Sequence, residues 1–350
     1  MQEKHFIHPV FIIMLIFSLQ VAGGCQTTDR ALQEERDRGY YQNQALSLDV
    51  REQIRESFRA VKRIQSSVIY KTYQMERING ELPTVEDIQG VDLEEIAGDV
   101  TIDTHSSAGT AVVISVENRN ALLITASHVV SYPDTVYHFS RGTEAGLENQ
   151  LVAVSVTQSR NQYVVTDSGV EVIEILANDN RRDLALLRTV SDISDRDLRV
   201  LNIPMGNPGR LDWTDVVYAV GYPRGVQMVA RGIASKSRHP TRRITMDLSI
   251  NRGFSGGPVF AVRNDGSGLE WVGNITSAMG EREVYLTPES LYNGEYSSDL
   301  PYEGALYVQS TPRIYYGITH AVDVNEATQF IRENHFVLLE NGFSRAVFTY

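Results

Sequence analysis

The chain has 350 residues, of which 42% are hydrophobic and 22% are charged. This composition predicts one or two globular cores and excludes a disordered or fibrous protein. Asp and Glu number 44 against 32 Lys and Arg, so the formal charge is −12 and no basic face is expected for nucleic acid. Because Cys25 is the single cysteine, an intrachain disulfide is excluded.

The N-terminal residues have the pattern of an export signal. An apolar run over residues 10–19 is about ten residues long, which is too short to span a bilayer. It ends in small residues directly before Cys25 and so resembles a bacterial lipobox, with Ala22 where Leu is usual. The resemblance implies a lipoprotein signal peptide over 1–24, lipidation of Cys25 and a membrane anchor on the periplasmic side of the bacterial cell envelope, and Gln26 favours the outer membrane. The alternative is cleavage by ordinary signal peptidase, with Cys25 removed or left as a free thiol.

The residues that follow predict a tether and then a helix. Residues 25–48 are polar with little periodicity, which predicts a flexible tether. Asp49 is the predicted N-cap of an amphipathic helix. Its apolar positions at helical spacing are Val50, Ile54, Phe58, Val61 and Ile64. Residues 76–106, which surround Pro83, are acidic and loop-like and predict a long loop or insertion.

After Ser106 the sequence changes to short β-rich runs separated by turn residues, which is typical of an all-β sandwich or barrel. Two hairpins are predicted, one with its turn at 117–120 and one with its turn at 167–169. The strands of this half are predicted over 110–116, 121–125, 163–165, 170–176 and 184–190. Residues 191–212 contain few apolar repeats and predict a connection between two halves.

A second β group occupies the rest of the chain. Its strands are predicted over 215–220, 226–237, 243–248, 258–263, 269–277 and 313–319. Residues 280–312 are acidic and rich in Tyr, which predicts a surface insertion. Asn325 is the predicted cap of a closing helix. The predicted core positions of that helix are Ala327, Phe330, Ile331, and Phe336 or Leu339.

Three segments combine a reactive side chain with unusual neighbours. His128 follows an apolar strand, Asp183 opens another, and Ser255 lies among glycines in 251–258. Taken singly, each is more often a satisfied polar residue, a turn former or a tight turn. Their occurrence together, in this order and separated by β segments, is a far more specific pattern.

Together these segments resemble the trypsin-like (chymotrypsin-fold) serine peptidases, with the closest likeness to the HtrA/Deg branch. The likeness covers about residues 55–340 and is carried by 111–114, 183–187, 219–223 and 250–253. It implies an all-β fold of two six-stranded β-barrels with an N-terminal and a C-terminal helix. We expect the helix and first barrel over 49–195 and the second barrel over 196–350, without room for a PDZ domain. Relatives of this type are often trimers, so a homo-oligomer is compatible with the resemblance.

The resemblance assigns a role to each residue of the pattern. Ser255 would be the nucleophile, His128 the base that takes its proton, and Asp183 the group that fixes the imidazole tautomer. The N–H groups of Gly253 and Ser255 would form the oxyanion hole. The predicted function is a serine endopeptidase of protein or peptide substrates, in quality control or processing in the cell envelope. No cofactor and no metal are expected, since the other histidines lack ligand spacing.

Residues outside this pattern receive structural interpretations. Surface or loop positions are predicted for His105, His138, His239 and His335, and packing positions for Trp213 and Trp271. By its position relative to Ser255, Ser249 is predicted at the base of the S1 pocket. The other predicted substrate-binding residues are Thr276, Ser277, Ala278, Gly317 and Thr319. Because no acidic residue is predicted at the base, small or medium apolar P1 residues are favoured.

One departure from the pattern leaves alternatives open. Phe254 stands where digestive members have Asp and the HtrA branch has Asn, so activation by an ion pair to a new N-terminus is not expected. It also motivates the alternative of a catalytically incompetent, peptidase-like scaffold lipoprotein. Residues 253–257 further fit the G-x-S-x-G elbow of α/β-hydrolases, with His320 as base. An elbow needs a helix after the serine, whereas 259–262 has the pattern of a strand.

Overall fold

The computed structural model describes residues 47–77, 81–141, 148–191, 199–235, 243–288 and 306–344. These residues form thirteen strands and five short helices, so the prediction of an all-β fold is confirmed. The predicted signal peptide, Cys25, the tether up to residue 46 and His239 lie outside the described residues. None of the helices in the described ranges is long and apolar enough to cross a membrane.

The first seven strands build an antiparallel barrel. Six of them form a ring in the order β1-β2-β3-β7-β6-β5, which closes where β5 pairs with β1. The seventh, β4, pairs with β5 outside the ring. The strands are β1 Val61–Met75, β2 Ala97–Glu117, β3 Asn120–Thr125, β4 Thr135–Arg141, β5 Glu148–Val165, β6 Val170–Asp179 and β7 Leu184–Thr189.

The remaining six strands close a second antiparallel barrel in the order β10-β13-β12-β11-β8-β9. They are β8 Val216–Gly221, β9 Met228–Ser235, β10 Arg243–Asp247, β11 Pro258–Val262, β12 Leu269–Pro288 and β13 Leu306–Asp323. Two closed six-stranded barrels are the architecture that the family resemblance implied. Closure pairs both edges of every ring strand, whereas an open sheet leaves the outer edges of its first and last strands unpaired.

Each barrel is filled by its own apolar core. Alternating residues such as Val113, Leu123 and Leu187 fill the first barrel, and residues such as Val217 and Met246 fill the second. Trp271 is buried and donates from its indole N–H to the carbonyl of Gly273, as expected of a packing residue, whereas Trp213 is largely exposed. The two cores are separate, so any site between them is formed by loops and strand ends.

The predicted hairpins are both present. Glu117 pairs with Asn120 across the β2–β3 turn, and Asn118 and Arg119 have φ of 50° and 65°. Two successive positive φ values define the type I′ turn that suits the twist of paired strands. Val165 pairs with Val170 across the second turn.

The five helices are α1 Leu48–Ser57, α2 Leu93–Ile96, α3 Ser127–Val130, α4 Val324–Glu333 and α5 His335–Glu340. The predicted first helix is too long and misplaced at its start. Asp49 lies in the first turn of α1 and is not its N-cap, and Val61 and Ile64 belong to β1. Ile64 is buried in β1, and its spacing in the sequence also suits the buried face of a helix. The spacing therefore did not distinguish a helix from a strand, and the pairing of this segment with β2 makes it a strand.

The prediction of a loop over 76–106 is wrong in part. Residues 97–106 belong to β2 and pair with β1 as far as Met75. The side chains at 98–106 are all exposed, so the strand has no buried face. The alternation of apolar and polar residues that marks a half-buried strand is therefore missing. Before it, Ile88 packs with Tyr73 and Leu151 in a small separate core.

The C-terminal segment differs from the prediction in its cap. Asp323, not Asn325, caps α4, because its carboxylate accepts from the N–H of Glu326. Ala327, Phe330 and Ile331 are buried as predicted. Phe336 and Leu339 are 69% and 43% exposed, because the chain starts a new helix after Asn334 and turns Leu338 inward instead.

The structure adds paired strands to the surface insertion that was predicted over 280–312. Residues 280–288 continue β12 and residues 306–312 belong to β13, and the two stretches pair as a ribbon beyond the barrel. Residues 289–305 lie outside the described residues. The ribbon was missed because acidic residues are depleted in strands and masked the strand preference of the Tyr residues among them.

Candidate active site

The imidazole of His128 is held by the carboxylate of Asp183. His128 lies in α3, the single turn that follows β3, and Asp183 directly precedes β7, which pairs with β3. Nδ1 of His128 lies 3.0 Å from Oδ1 and 2.9 Å from Oδ2 of Asp183, and the main-chain N–H of His128 donates to Oδ1 at 3.0 Å. A ring nitrogen that faces a carboxylate carries the proton, so Nε2 is left as the acceptor.

Asp183 adopts an unusual backbone conformation to reach this position. Its φ is +59°, in the left-handed region that costs a residue with a side chain of the order of 1 kcal/mol. The preceding residue, Arg182, is 9% exposed and binds Asp179 at 2.9 Å, Glu326 at 3.0 Å and Glu333 at 2.8 Å. Glu326 and Glu333 belong to α4, so this cluster ties the loop of Asp183 to the C-terminal helix and stabilises the strained conformation.

Acidification is expected to weaken the Arg182 cluster. The hydrogen bond from Arg182 lowers the pKa of Glu333. Burial acts to raise the pKa of Asp179, but the N–H groups of Arg182 and Arg181 lower it overall. A carboxylate with a depressed pKa in the folded state adds stability above its unfolded pKa of about 4 and loses it as the pH falls through the folded pKa. The free energy of unfolding should therefore drop between about pH 5 and pH 3.

The variant Arg182→Gln tests this cluster by urea unfolding at neutral and acid pH. At neutral pH it removes the cation that pairs with the buried Glu326 carboxylate, which should cost about 3 kcal/mol, and this cost should shrink in acid. Arg188→Gln is the control, because its exposed pair with Glu174 is worth about 1 kcal/mol or less. Equal losses for the two variants would contradict the structural role of the cluster.

Ser255 lies on a tight turn that requires glycine at positions 253 and 256. Gly253 has φ of +111° and Gly256 has φ of +84°. A Cβ at Gly253 would lie 2.4 Å from the carbonyl oxygen of Tyr222, and one at Gly256 would lie 2.2 Å from the carbonyl oxygen of Thr110. The turn is therefore packed tightly against the main chain of both barrels.

The first barrel holds this turn close to His128. The N–H of Thr110 in β2 donates to the carbonyl of Ser255 at 2.8 Å. A Cβ at Gly256 would lie 2.8 Å from the nitrogen of Ala126, two residues before His128. The hydrogen bonds of His128 go to Asp183, and in the described part of the chain none joins the ring to Ser255 Oγ. Such bonds are often long without substrate and shorten in the complex.

Two N–H groups of the turn are available to a ligand. The neighbouring amides are occupied: Phe254 donates to Asn251 at 3.2 Å, Gly256 to Ile275 at 2.7 Å and Gly257 to Phe254 at 2.8 Å. Among the described residues, the N–H groups of Gly253 and Ser255 have no acceptor. These are the two donors that the sequence predicted for an oxyanion.

The predicted pocket residues come from three segments that the structure brings together. Thr319 donates to the carbonyl of Leu248, which places β13 beside Ser249. Ser277 and Ala278 pair with His320 and Thr319 across β12 and β13. Thr276 is buried and donates to the carbonyl of His320. Ser249 is exposed, and Gly317 has φ of +95°.

Two neighbours of the site were missed by the sequence analysis. A Cβ at Gly317 would lie 3.4 Å from Oδ1 of Asp247, so a carboxylate lies at the edge of the predicted pocket. Its position two residues before Ser249 was the available signal. Thr110 contacts the turn from the first barrel, and no local pattern marks it.

Within the described residues, no group of three or more His, Cys, Asp or Glu side chains is placed to hold a metal ion.

The α/β-hydrolase alternative is wrong. After the turn the chain enters strand β11 at Pro258, and both barrels are antiparallel. His320 lies on β13, and its Nδ1 is 3.3 Å from the hydroxyl of Thr245. Burial, followed by the charge of Arg243, lowers the pKa of His320.

Two closed antiparallel barrels, with His128, Asp183 and Ser255 on strand ends and loops between them, fit the chymotrypsin (trypsin-like) fold. The comparison with protein families agrees. Residues 109–269 match the model of the trypsin-like peptidase domain, and this range contains all three residues. The chain has no significant match among curated proteins.

Proposed function

We propose that the protein is a serine endopeptidase with Ser255 as nucleophile, His128 as general base and Asp183 as the group that orients it. The observation that carries the proposal is the carboxylate of Asp183, which binds both the ring and the main chain of His128. This contact fixes the tautomer in which Nε2 accepts a proton. The trypsin-like peptidase domain over 109–269 supports the same reaction class.

The proposed reaction uses these three residues in two half-reactions. Ser255 Oγ attacks the carbonyl carbon of the scissile bond while His128 Nε2 takes its proton. The carbonyl oxygen becomes an oxyanion and accepts hydrogen bonds from the N–H groups of Gly253 and Ser255. The C–N bond then breaks, and His128 gives the proton to the leaving amine. In the second half, His128 takes a proton from the water that attacks the acyl carbon, the ester bond to Ser255 Oγ breaks, and the proton passes to Ser255 Oγ. The carboxylate of Asp183 orients the ring and stabilises the imidazolium.

A fluorophosphonate probe tests the proposal, because it reacts with an activated serine. We expect covalent labelling of the wild-type protein, complete loss of labelling in Ser255→Ala and strong reduction in His128→Ala. Ser267→Ala is the matched control, since Ser267 is an exposed serine in a turn of the second barrel.

The scaffold alternative makes the opposite prediction. A folded wild-type protein that resists the probe would overturn the endopeptidase proposal and favour a binding lipoprotein. Labelling that persists in Ser255→Ala would show that another serine reacts and would overturn the assignment of Ser255.

The proposed specificity is for small or medium apolar P1 residues. A peptide library with Val or Ala at P1 should be cleaved faster than a Lys library, because Ser249 offers no charge at the base of the pocket. The carboxylate of Asp247 beside Gly317 is a described group that would favour Lys instead. A faster Lys library would refute the pocket assignment, and loss of that preference in Asp247→Asn would identify the carboxylate responsible.

We also propose that the enzyme acts in the bacterial cell envelope, anchored by a lipid on Cys25 and working in protein quality control or processing. The support is the apolar run and the small residues before Cys25. Labelled palmitate should be incorporated into the wild type and not into Cys25→Ala. Label that persists in the variant would contradict the anchor.

A further inference from the structure

We propose that the hydroxyl group of Thr110 is a positioning group for the oxyanion turn, acting across the boundary between the barrels. This inference rests on the proposed function, since it concerns the N–H groups that would bind the oxyanion. Thr110 does not contact the reacting atoms in this role. It acts through the main chain of residues 253–255.

The hydroxyl of Thr110 joins two segments of the second barrel. It donates to the carbonyl of Gly253 at 2.6 Å and accepts from the N–H of Tyr222 at 3.0 Å. Thr110 is completely buried in β2 of the first barrel. Replacement of this hydroxyl by an apolar group would leave two main-chain groups, the carbonyl of Gly253 and the N–H of Tyr222, without this partner.

The main chain of Thr110 reinforces this connection. Its N–H donates to the carbonyl of Ser255, so one residue binds the carbonyls of both residues whose N–H groups face the oxyanion. Its own carbonyl accepts from the hydroxyl of Thr125 at 2.7 Å. This bond holds Thr110 against β3, which leads to His128.

The turn needs such an external contact because Gly253 is intrinsically free to rotate. A glycine adopts positive and negative φ with similar ease, so the direction of its N–H is not fixed by its own sterics. The peptide between Gly253 and Phe254 is bound at both ends, by Thr110 at its carbonyl and by Asn251 at its N–H. If the first bond is lost, the peptide keeps the hydrogen bond to Asn251 but loses the one that fixes its carbonyl.

The expected kinetic signature follows from the point at which the oxyanion forms. Its negative charge develops in the transition state, so misdirected donors lower kcat and leave KM nearly unchanged. A displacement of about 1 Å in a catalytic group costs up to about 100-fold. We expect Thr110→Ala to lower kcat by about 10-fold to 100-fold.

The experiment compares Thr110→Ser with Thr110→Ala, two variants that differ only in the hydroxyl group. The control pair is Thr189→Ser with Thr189→Ala, because the buried Thr189 hydroxyl in β7 accepts from the N–H of Ala121. That pair reports the loss of a buried hydroxyl in the same barrel. The readouts are kcat and KM on a peptide substrate and the hydrogen exchange of the Phe254 and Gly257 amides, both hydrogen-bonded within the turn.

We expect Thr110→Ser to retain kcat and amide protection, and Thr110→Ala to lose both, while both Thr189 variants keep them. If Thr110→Ala, in folded protein, keeps kcat within about twofold and the two amides exchange as in the wild type, the inference is overturned. If the wild type cleaves no peptide and resists the fluorophosphonate probe, the proposed function fails instead. The exchange of the two amides then still decides whether Thr110 orders the turn.

Discussion

Replacement of Asp183 by Asn is expected to lower kcat by about 10⁴-fold while the fold is retained, the magnitude known for this change in the Ser-His-Asp template. The carboxylate accepts hydrogen bonds from both the ring and the main chain of His128. The amide nitrogen of Asn cannot accept the proton of Nδ1, and as a donor it favours the tautomer in which Nε2 carries the proton. Nε2 then has no lone pair to receive the proton of Ser255.

The measurement is the steady-state kcat of Asp183→Asn on a peptide substrate, with unfolding in urea as a check of the fold. Asp265→Asn is the matched control. Asp265 is exposed in a turn of the second barrel, and its carboxylate accepts from the N–H of Ser267 in the same turn. Its kcat should equal that of the wild type. If Asp183→Asn keeps more than about a tenth of the wild-type kcat, Asp183 is not the group that orients His128.

The fold could be predicted from the sequence because short apolar runs and turn residues are local signals. The turn after Glu117 and the strand that opens at Leu184 were both visible in this way. Periodicity failed where burial did not distinguish conformations. Ile64 is buried in a strand although its spacing also suits a helix, and residues 97–106 form a strand without a buried face.

The candidate site was only half visible in the sequence, for a physical reason. His128, Asp183 and Ser255 stand in distinctive local segments, and their likeness to a family of known chemistry is local as well. The contacts of Thr110 with Gly253 and of Arg182 with Glu326 join residues 143 and 144 positions apart. Such contacts depend on how the barrels and the last helix pack, and no local pattern specifies them.

Phe254→Ala is expected to have the second largest effect, because it acts on stability and on the site together. Phe254 is 2% exposed and packs in the core of the second barrel with residues such as Leu248 and Ile250. Its ring also lies against Gly221, where a Cβ would come within 2.7 Å. Truncation of a buried Phe costs about 3–5 kcal/mol, which urea unfolding would measure directly.

The effect on activity should exceed what the loss of stability explains. Phe254 joins the two residues whose N–H groups are proposed to bind the oxyanion, so its side chain would anchor the turn by apolar burial in place of an ion pair. Burial is present as soon as the chain folds, so the protein should need no zymogen-type activation by an ion pair to a newly cleaved N-terminus. In Phe254→Ala the turn loses this anchor, and kcat should fall by about 100-fold under conditions in which the protein stays folded.

Phe260→Ala separates the two effects, because Phe260 is fully buried in β11 and does not belong to the turn. Its loss of stability should be similar, with kcat close to that of the wild type. Phe254→Leu should recover most of the activity, since an apolar side chain still fills the space. If Phe254→Ala and Phe260→Ala lower kcat equally, Phe254 is an ordinary core residue, and the order of the turn comes from its hydrogen bonds, which include those with Thr110 and Ile275.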